Sequence, residues 1–267
     1  MFRDREGGDW TDAVVLVVHA HPDDEVFATG AATIAAANAG ATVHLRLFTG
    51  GEGRASELTT PALTAARLRK EESLAASTGL LGIHDWDYLA EPGRWHDTPQ
   101  DAKRTIATAS GEVLAGAVVE AIDALGPDVL LTVGPDGLTG HPDHVACHGA
   151  VRRALARSAL PPRVALGAVL DRRAVERARH EAATTLGRTV GSGRAIGAAL
   201  RPAVVTVTGP DGTAERRRKA LDRYVPGLGT AAYADLTDER VGSGDSVLLR
   251  FVRDVSGWDR DHFVRLV

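Results

Sequence analysis

Residues 13–25 read AVVLVVHAHPDDE, and they decide the fold class. The apolar run from Ala13 to Val18 is unbroken and rich in valine, which suits a strand buried on both faces of a parallel sheet. A polar cluster, His21-Pro22-Asp23-Asp24-Glu25, comes directly after it, where a strand gives way to a helix. The Ala-rich stretch 26–39 reads as that helix and ends at Gly40, a suitable C-cap. TVHLRLF at 42–48 is a second apolar strand. Strand, helix and strand in so short a span predict a βαβ unit with a right-handed crossover.

The pattern continues outward from this unit. Ala62 to Leu81 reads as a helix, and His84 to Tyr88 as a short strand. Residues 91–108 mix Pro, Gly, Trp and charge, and read as a loop on the active-site side rather than as core. A helix over 110–125 passes through Gly126-Pro127 into DVLLTV at 128–133, a third buried strand. The loop GPDGLTG at 134–140 then opens a helix over 142–157. RVALGAVL at 163–170 is a further strand, and the Gly-rich stretches 187–201 and 208–214 read as loops. The expectation is an α/β fold, a mostly parallel sheet flanked by helices, forming a single domain over 1–267 with residues 1–12 as a flexible N-terminus.

Bulk composition narrows the function. With 267 residues, 44% hydrophobic and 25% charged, the chain falls in the range of ordinary globular proteins. A net charge of −4 supplies no basic stripe for a phosphate backbone, so nucleic acid is not an expected partner. No apolar run approaches the roughly 20 residues that span a bilayer, and no apolar leader comes after the polar N-terminus. The expected setting is cytoplasmic, with no membrane partner and with self-association left open. Cys147 is the single cysteine, so neither an internal disulfide nor a thiolate cluster can form. Any metal site must use histidine and carboxylate, and there are ten histidines to draw on.

Two of those histidines open motifs of one form. His21-Pro22-Asp23-Asp24 comes after the first buried strand, and His141-Pro142-Asp143-His144 after the strand ending near Val133. Proline is favoured at the first helical position, which puts each leading His at a cap and its successors in a first turn. Residues at i and i+3 share a face, so His21 can converge with Asp24, and His141 with His144. Ligands of open parallel sheets bind beyond the carboxyl ends of the strands, where both motifs lie. Two imidazoles, one carboxylate and a place for water make a catalytic zinc arrangement. Asp23, beside Asp24, is the natural general base, and His141 is placed to assist the leaving amine or the carbonyl. The first motif alone reads equally well as an acidic helix start, and the second alone carries less weight, since His-Pro is common at a turn; the pair together is specific.

With these residues the chain resembles the PIG-L / LmbE-like zinc deacetylases, which carry AHPDDE after a strand and GHPDH later. Here those segments are Ala20 to Glu25 and Gly140 to His144, and the resemblance covers about residues 13–157. It implies a Rossmann-like sheet, one Zn2+ (or Fe2+), and removal of an N-acetyl group from a small N-acylated amino sugar or glycoconjugate. It implies His21, Asp24 and His144 as metal ligands, Asp23 as base, His141 as the group aiding carbonyl or amine, and Arg69 as a sugar contact, although Arg69 reads equally well as a surface helix arginine paired with Glu72. TGGEG at 49–53 resembles the family's Gly-rich turn, and its spacing is not that of a dinucleotide fingerprint.

The sequence departs from the family pattern at three places. Thr139 stands where some relatives carry a tyrosine, Pro92-Gly93 with Glu91 nearby replaces an Asp-Gly, and the late motif survives only as Lys219 to Tyr224. These leave room for an amidase acting on thiol conjugates such as mycothiol adducts, or for a tailoring deacetylase of antibiotic assembly. A non-catalytic metal- or sugar-binding protein is the reading from another class. His19 reads as a packed polar residue behind the ligands, His44 and His148 as structural, and Cys147 as a small buried hydrophobe. The run Arg216 to Lys219 reads as a solvated helix face.

Overall fold

The valine run forms β1 (Val14–His19), at the centre of the sheet. The computed structural model describes residues 11–52, 60–97, 104–200, 204–236 and 244–267. On one side of β1 lie β2 (Thr42–Leu47) and then β3 (Asp85–Tyr88). On the other lie β4 (Val129–Val133) and β5 (Val164–Val169). These five strands are parallel. Two antiparallel strands, β6 (Val205–Thr208) and β7 (Arg260–Arg265), extend the sheet to seven strands in the order β3-β2-β1-β4-β5-β7-β6. The expected mostly parallel α/β sheet is therefore what the chain forms. All of β4 and β5 is buried, as an uninterrupted apolar strand between two helical layers must be.

The order of strands sets the site. From β1 the chain builds outward to β2 and β3, then returns to place β4 on the opposite side of β1. The carboxyl ends of β1 and β4 therefore flank the switch point, where an open α/β sheet leaves a crevice. Each motif starts at one of these two ends.

The flanking helices are α1 (Asp24–Phe27), α2 (Gly30–Asn38), α3 (Thr60–Leu81), α4 (Gly111–Leu125), α5 (Gly137–Gly140) and α6 (Pro142–Leu155). Later come α7 (Arg172–Leu186), α8 (Thr213–Tyr224) and α9 (Gly244–Ser256). Among the described residues no helix is long and apolar enough to cross a membrane. Residues 1–10, within the segment expected to be flexible, and 98–103, within the 91–108 loop, lie outside the described residues.

Four expectations need correction. The stretch 26–39 is not one helix: it breaks after Phe27, because the carbonyls of Val26 and Phe27 are taken by a side chain. Arg217 of α8 donates from Nε to Val26 O (2.5 Å) and from Nη2 to Phe27 O (2.8 Å). Arg216 to Lys219 is accordingly not a solvated face: Arg217 is fully buried, Arg216 donates to Leu80 O (2.9 Å), and only Lys219, paired with Glu215, fits that reading. The 91–108 loop contributes to the core through buried Trp95 and Ile106. The Gly-rich stretch 208–214 is cut short, since Thr213 already begins α8.

A buried charge network holds the broken helix. Asp261 of β7 accepts from Ala31 N (2.8 Å) and Ala32 N (3.0 Å), capping α2, whose own N-cap Thr29 makes no side-chain cap bond. Its other oxygen pairs with Arg217 (2.8 Å) and Arg253 (3.2 Å), both buried. Removing one partner of such a network strands the others without a counter-charge. Asp261→Ala is expected to destabilise the chain by about 3–5 kcal/mol in denaturant unfolding, whereas Glu215→Ala, at an exposed ion pair, should leave the unfolding midpoint close to that of the wild type.

Candidate metal centre

The first motif folds differently from the second. His141 is the N-cap of α6, Pro142 opens that helix, and the His141 ring accepts from Asp143 N at 3.3 Å, as the proline rule predicts. At the first motif the helix begins only at Asp24, and its N-cap is Asp23, a non-glycine residue at φ 101°. Pro22 is therefore not the first helical residue. His21 and Asp24 still converge, because Asp24 Oδ2 turns back to accept from Ala20 N (3.2 Å) and His21 N (3.0 Å). That pair of bonds fixes the carboxylate and leaves Oδ1 facing the second motif.

Across the switch point the donor atoms meet. His144 Nε2 lies 3.0 Å from Asp24 Oδ1 and 3.2 Å from His21 Nδ1. A tetrahedral zinc with bonds of about 2.0–2.1 Å would hold its donors about 3.3 Å apart, so this spacing fits a metal. His21, His141 and His144 also bring one ring nitrogen each within 4.8 Å of one another, as do donor atoms of His21, Asp97 and Asp143. The expected ligands His21, Asp24 and His144 are thus gathered in one place with His141 beside them.

The outward nitrogens of both histidines are bound. His144 Nδ1 donates to Gly137 O at 3.0 Å, directing the Nε2 lone pair inward. Gly137 has φ +61°, and a Cβ there would sit 2.9 Å from His144 Cβ, so only glycine lets the carbonyl approach. His21 Nε2 donates to Asp143 Oδ2 at 3.2 Å, directing Nδ1 inward, and Asp143 is itself held by Ala107 N at 3.0 Å. Behind β1, His19 Nε2 meets Thr29 Oγ1 at 3.0 Å, and burial lowers its pKa to about 4. It packs behind the expected ligands and stays neutral.

Asp23 is held from behind. Glu25 Oε2 accepts from Asp23 N at 2.9 Å, and Glu25 Oε1 accepts from Ser77 Oγ (2.9 Å) and Tyr224 Oη (2.7 Å). A left-handed conformation at a non-glycine residue costs energy and persists only where neighbours enforce it; this clamp enforces it.

The electrostatics favour a cation. Burial alone would lower the pKa of His21, but Asp97, Asp143 and Asp24 together push it up to about 10. Burial and the carboxylates of Asp24 and Glu25 push Asp23 up to about 7, against the pull of Lys70. Asp24 is held far below the carboxylate range by His144, His21 and His19, despite its burial. Burial and the neighbouring His21 and His144 lower His141, keeping that ring neutral.

These groups open into a cavity of about 260 Å³. Lys70, Asp97, Thr139, Asp245 and Leu249 share its lining. Arg69, expected to contact a sugar, is exposed on α3 and does not line the cavity; Lys70 does. Helical spacing explains the difference. Lys70 falls in register with buried Leu74, Ser77 and Leu81, whereas Arg69 shares the outer face with Ser73. That periodicity was present in the sequence. Asp97, Asp143 and Asp245 were not singled out from sequence; for Asp143 the signal was its place between two histidines in a helical first turn.

Residues 16–155 match the PIG-L family, described as GlcNAc-PI de-N-acetylase. A 1D-myo-inositol 2-acetamido-2-deoxy-alpha-D-glucopyranoside deacetylase 2 of Frankia casuarinae is 35% identical over 160 residues, covering 55% of this chain and 51% of the relative. The deacetylase of the same name, without the numeral, from Kineococcus radiotolerans is 35% identical over 165 residues, covering 54% and 45%. The chain spans about half the length of these curated relatives. Among solved structures, N,N'-diacetylchitobiose deacetylase of Pyrococcus horikoshii superposes with a TM-score of 0.57 at 14% identity, covering 95% of this chain and 83% of that one. The zinc-inhibited form of a teicoplanin deacetylase gives 0.57 at 17%, covering 94% and 98%. The 4-carboxy-2-hydroxymuconate hydratase of Pseudomonas putida gives 0.53 at 13%, covering 91% and 84%, so one fold carries different chemistries.

The ring-orienting carboxylate supplies a test of the site. Asp143→Asn keeps the shape but weakens the bond to His21, and should lower affinity for a divalent ion about 10- to 100-fold in competition with a chromogenic chelator. His44→Asn, at a histidine paired with Asp85 on β2 and β3, should leave that affinity unchanged.

Proposed function

The chain belongs to the PIG-L family, and we propose that it is a zinc-dependent hydrolase removing an N-acyl group, chiefly acetyl, from a small amino-sugar substrate. The observation that carries this reading is the convergence of His21, Asp24 and His144 at the switch point, at metal-ligand spacing, with one carboxylate and one neutral histidine left over. Zinc bound there would supply Lewis acidity to a water and to an amide carbonyl.

This chain's residues supply the proton transfers. Asp23 lines the cavity beside the ligand set, its pKa lifted towards the working range of a general base, and it takes a proton from the attacking water. Glu25, steadied by Ser77 and Tyr224, holds Asp23 by its backbone and so sets the direction of that carboxylate. His141 accepts from Asp143 N through Nδ1, so its Nε2 carries the proton. From there it hydrogen-bonds to the carbonyl oxygen as charge builds, and the proton that Asp23 took from the water passes to the departing nitrogen. The C–N bond breaks, a C–O bond forms, and the products are a carboxylate and an amine.

The names of the relatives support an acetamido sugar as substrate. The size of the cavity supports a small one, since about 260 Å³ lies below the roughly 300–1,000 Å³ of pockets for drug-sized ligands. Thiol conjugates and large glycopeptides would have to leave most of their bulk outside it.

Asp23→Asn is expected to retain the metal and to lose about 10²–10⁴-fold in kcat on an N-acetyl amino sugar. Metal content is read by elemental analysis and turnover by release of acetate. Wild-type turnover in that variant would remove Asp23 from the mechanism. A metal-loaded wild-type chain that hydrolyses none of a broad panel of N-acyl amines would favour the binding-protein reading instead.

A further inference from the structure

Two residues of the cavity wall have no part in the proton transfers above. Thr139, in the turn before His141, is 1% exposed and lines the cavity, yet its hydroxyl has no hydrogen-bond partner among the described residues. A buried hydroxyl left unpaired costs free energy, and native proteins seldom leave one so without use. The rest of Thr139 is anchored, for its carbonyl accepts from Ser192 Oγ at 3.0 Å. The residue before Ser192, Gly191, packs on the start of α9, where a Cβ on Gly191 would lie 3.5 Å from Asp245 Oδ1. Asp245 lines the same cavity. The Gly191-Ser192 segment therefore joins the two side chains into one wall, and Asp245 and its helix lie beyond the segment matched to the family.

The charge of the cavity bears on what this wall can take. Among the described residues, Asp23, Asp24, Asp97 and Asp245 line it against one lysine, Lys70, so even with a divalent ion bound these residues offer no excess positive charge. A phosphate or carboxylate on the substrate would be repelled there, while hydroxyl groups can donate to Asp245 and exchange a hydrogen bond with Thr139.

We propose that Thr139 and Asp245 form a hydroxyl-reading wall that determines specificity for a neutral, polyhydroxylated ring, with the Thr139 hydroxyl gaining its partner only when that ring binds. The inference rests on the amide-hydrolase reading for its substrate. It concerns selection between substrates, not the chemistry.

The test compares the metal-loaded full chain with Thr139→Val, Thr139→Ser and Asp245→Ala. Each is assayed on methyl N-acetylglucosaminide and on N-acetylcyclohexylamine, which has a ring but no hydroxyls. The ratio of kcat/KM for the two measures the preference for the sugar. One lost hydrogen bond should reduce this ratio about ten-fold in Thr139→Val and at least as much in Asp245→Ala, and Thr139→Ser should keep it. Thr139→Val should melt at the wild-type temperature or above, since it removes an unpaired buried hydroxyl. An unchanged ratio in either variant overturns the wall, and a clear fall in the Tm of Thr139→Val overturns the unpaired hydroxyl. If the wild type hydrolyses neither amide, the hydrolase reading fails, and calorimetric binding of glucosamine to the metal-loaded proteins decides the wall. Weaker binding in both Thr139→Val and Asp245→Ala supports it; equal binding, or none in the wild type, overturns it.

Discussion

Parallel pairing of β1 with β4 brings two segments about 120 residues apart in sequence to one crevice, through the register Val15↔Val129, Leu16↔Leu130 and Val17↔Leu131. Had β4 been added beyond β3, the HPDD and HPDH motifs would open on opposite edges of the sheet. The central position needs β1 and β4 to be apolar on both faces, and both are. The metal-ligand spacing between His144 and Asp24 is a consequence of this arrangement. The valine run and the VLLTV run are thus as much a part of the site as the histidines.

The turn that leaves β1 is costly to build, and the cost is met by contacts far along the chain. Asp23 is held in a left-handed conformation, α1 is only one turn long, and the carbonyls at its end lose their helical partners. Glu25, Ser77 and Tyr224 hold the first of these features, while Arg217, Arg253 and Asp261 hold the last. Such a buried ion network adds little net stability compared with apolar packing, because each charge gives up its water. Its value here is positional. It allows the chain to break after Phe27 instead of running on as one Ala-rich helix.

The sequence made legible those parts of the fold that depend on local pattern. Apolar runs located β1, β2, β4 and β5, and the proline rule placed His141 correctly as the cap of α6. The same rule failed at Pro22, where the pull of Glu25 on Asp23 N outweighs helical preference and delays the helix by two residues. The break after Phe27 could not be read from the Ala-rich stretch, since its cause is a guanidinium nearly two hundred residues away in sequence. Arg217 looked solvated because a run of basic residues normally is; its register with Ala220 and Leu221 marks the inner face of the helix, but the carbonyls and the Asp261 carboxylate that receive a guanidinium there come from remote segments. Lys70 is a different kind of miss. Its helical register with Leu74, Ser77 and Leu81 was readable, and the family-like spacing at Arg69 drew attention one residue too early.

The C-terminal third shows why the fold and the matched segment do not by themselves fix a substrate. A hydratase shares this architecture at a TM-score of 0.53, so the sheet and its switch point are compatible with more than one reaction. Within this chain, residues 16–155 carry the gathered histidines and carboxylates, but they do not close the cavity. α8 supplies Tyr224 to the clamp on Asp23 and Arg217 to the end of α1, while α9 supplies Asp245 and Leu249 to the cavity wall. Elements beyond the matched segment therefore brace the site or line its pocket. Changes in α8 act on the direction of Asp23, and changes in α9 act on what the pocket accepts, so within one family the chemistry can persist while its substrate is exchanged.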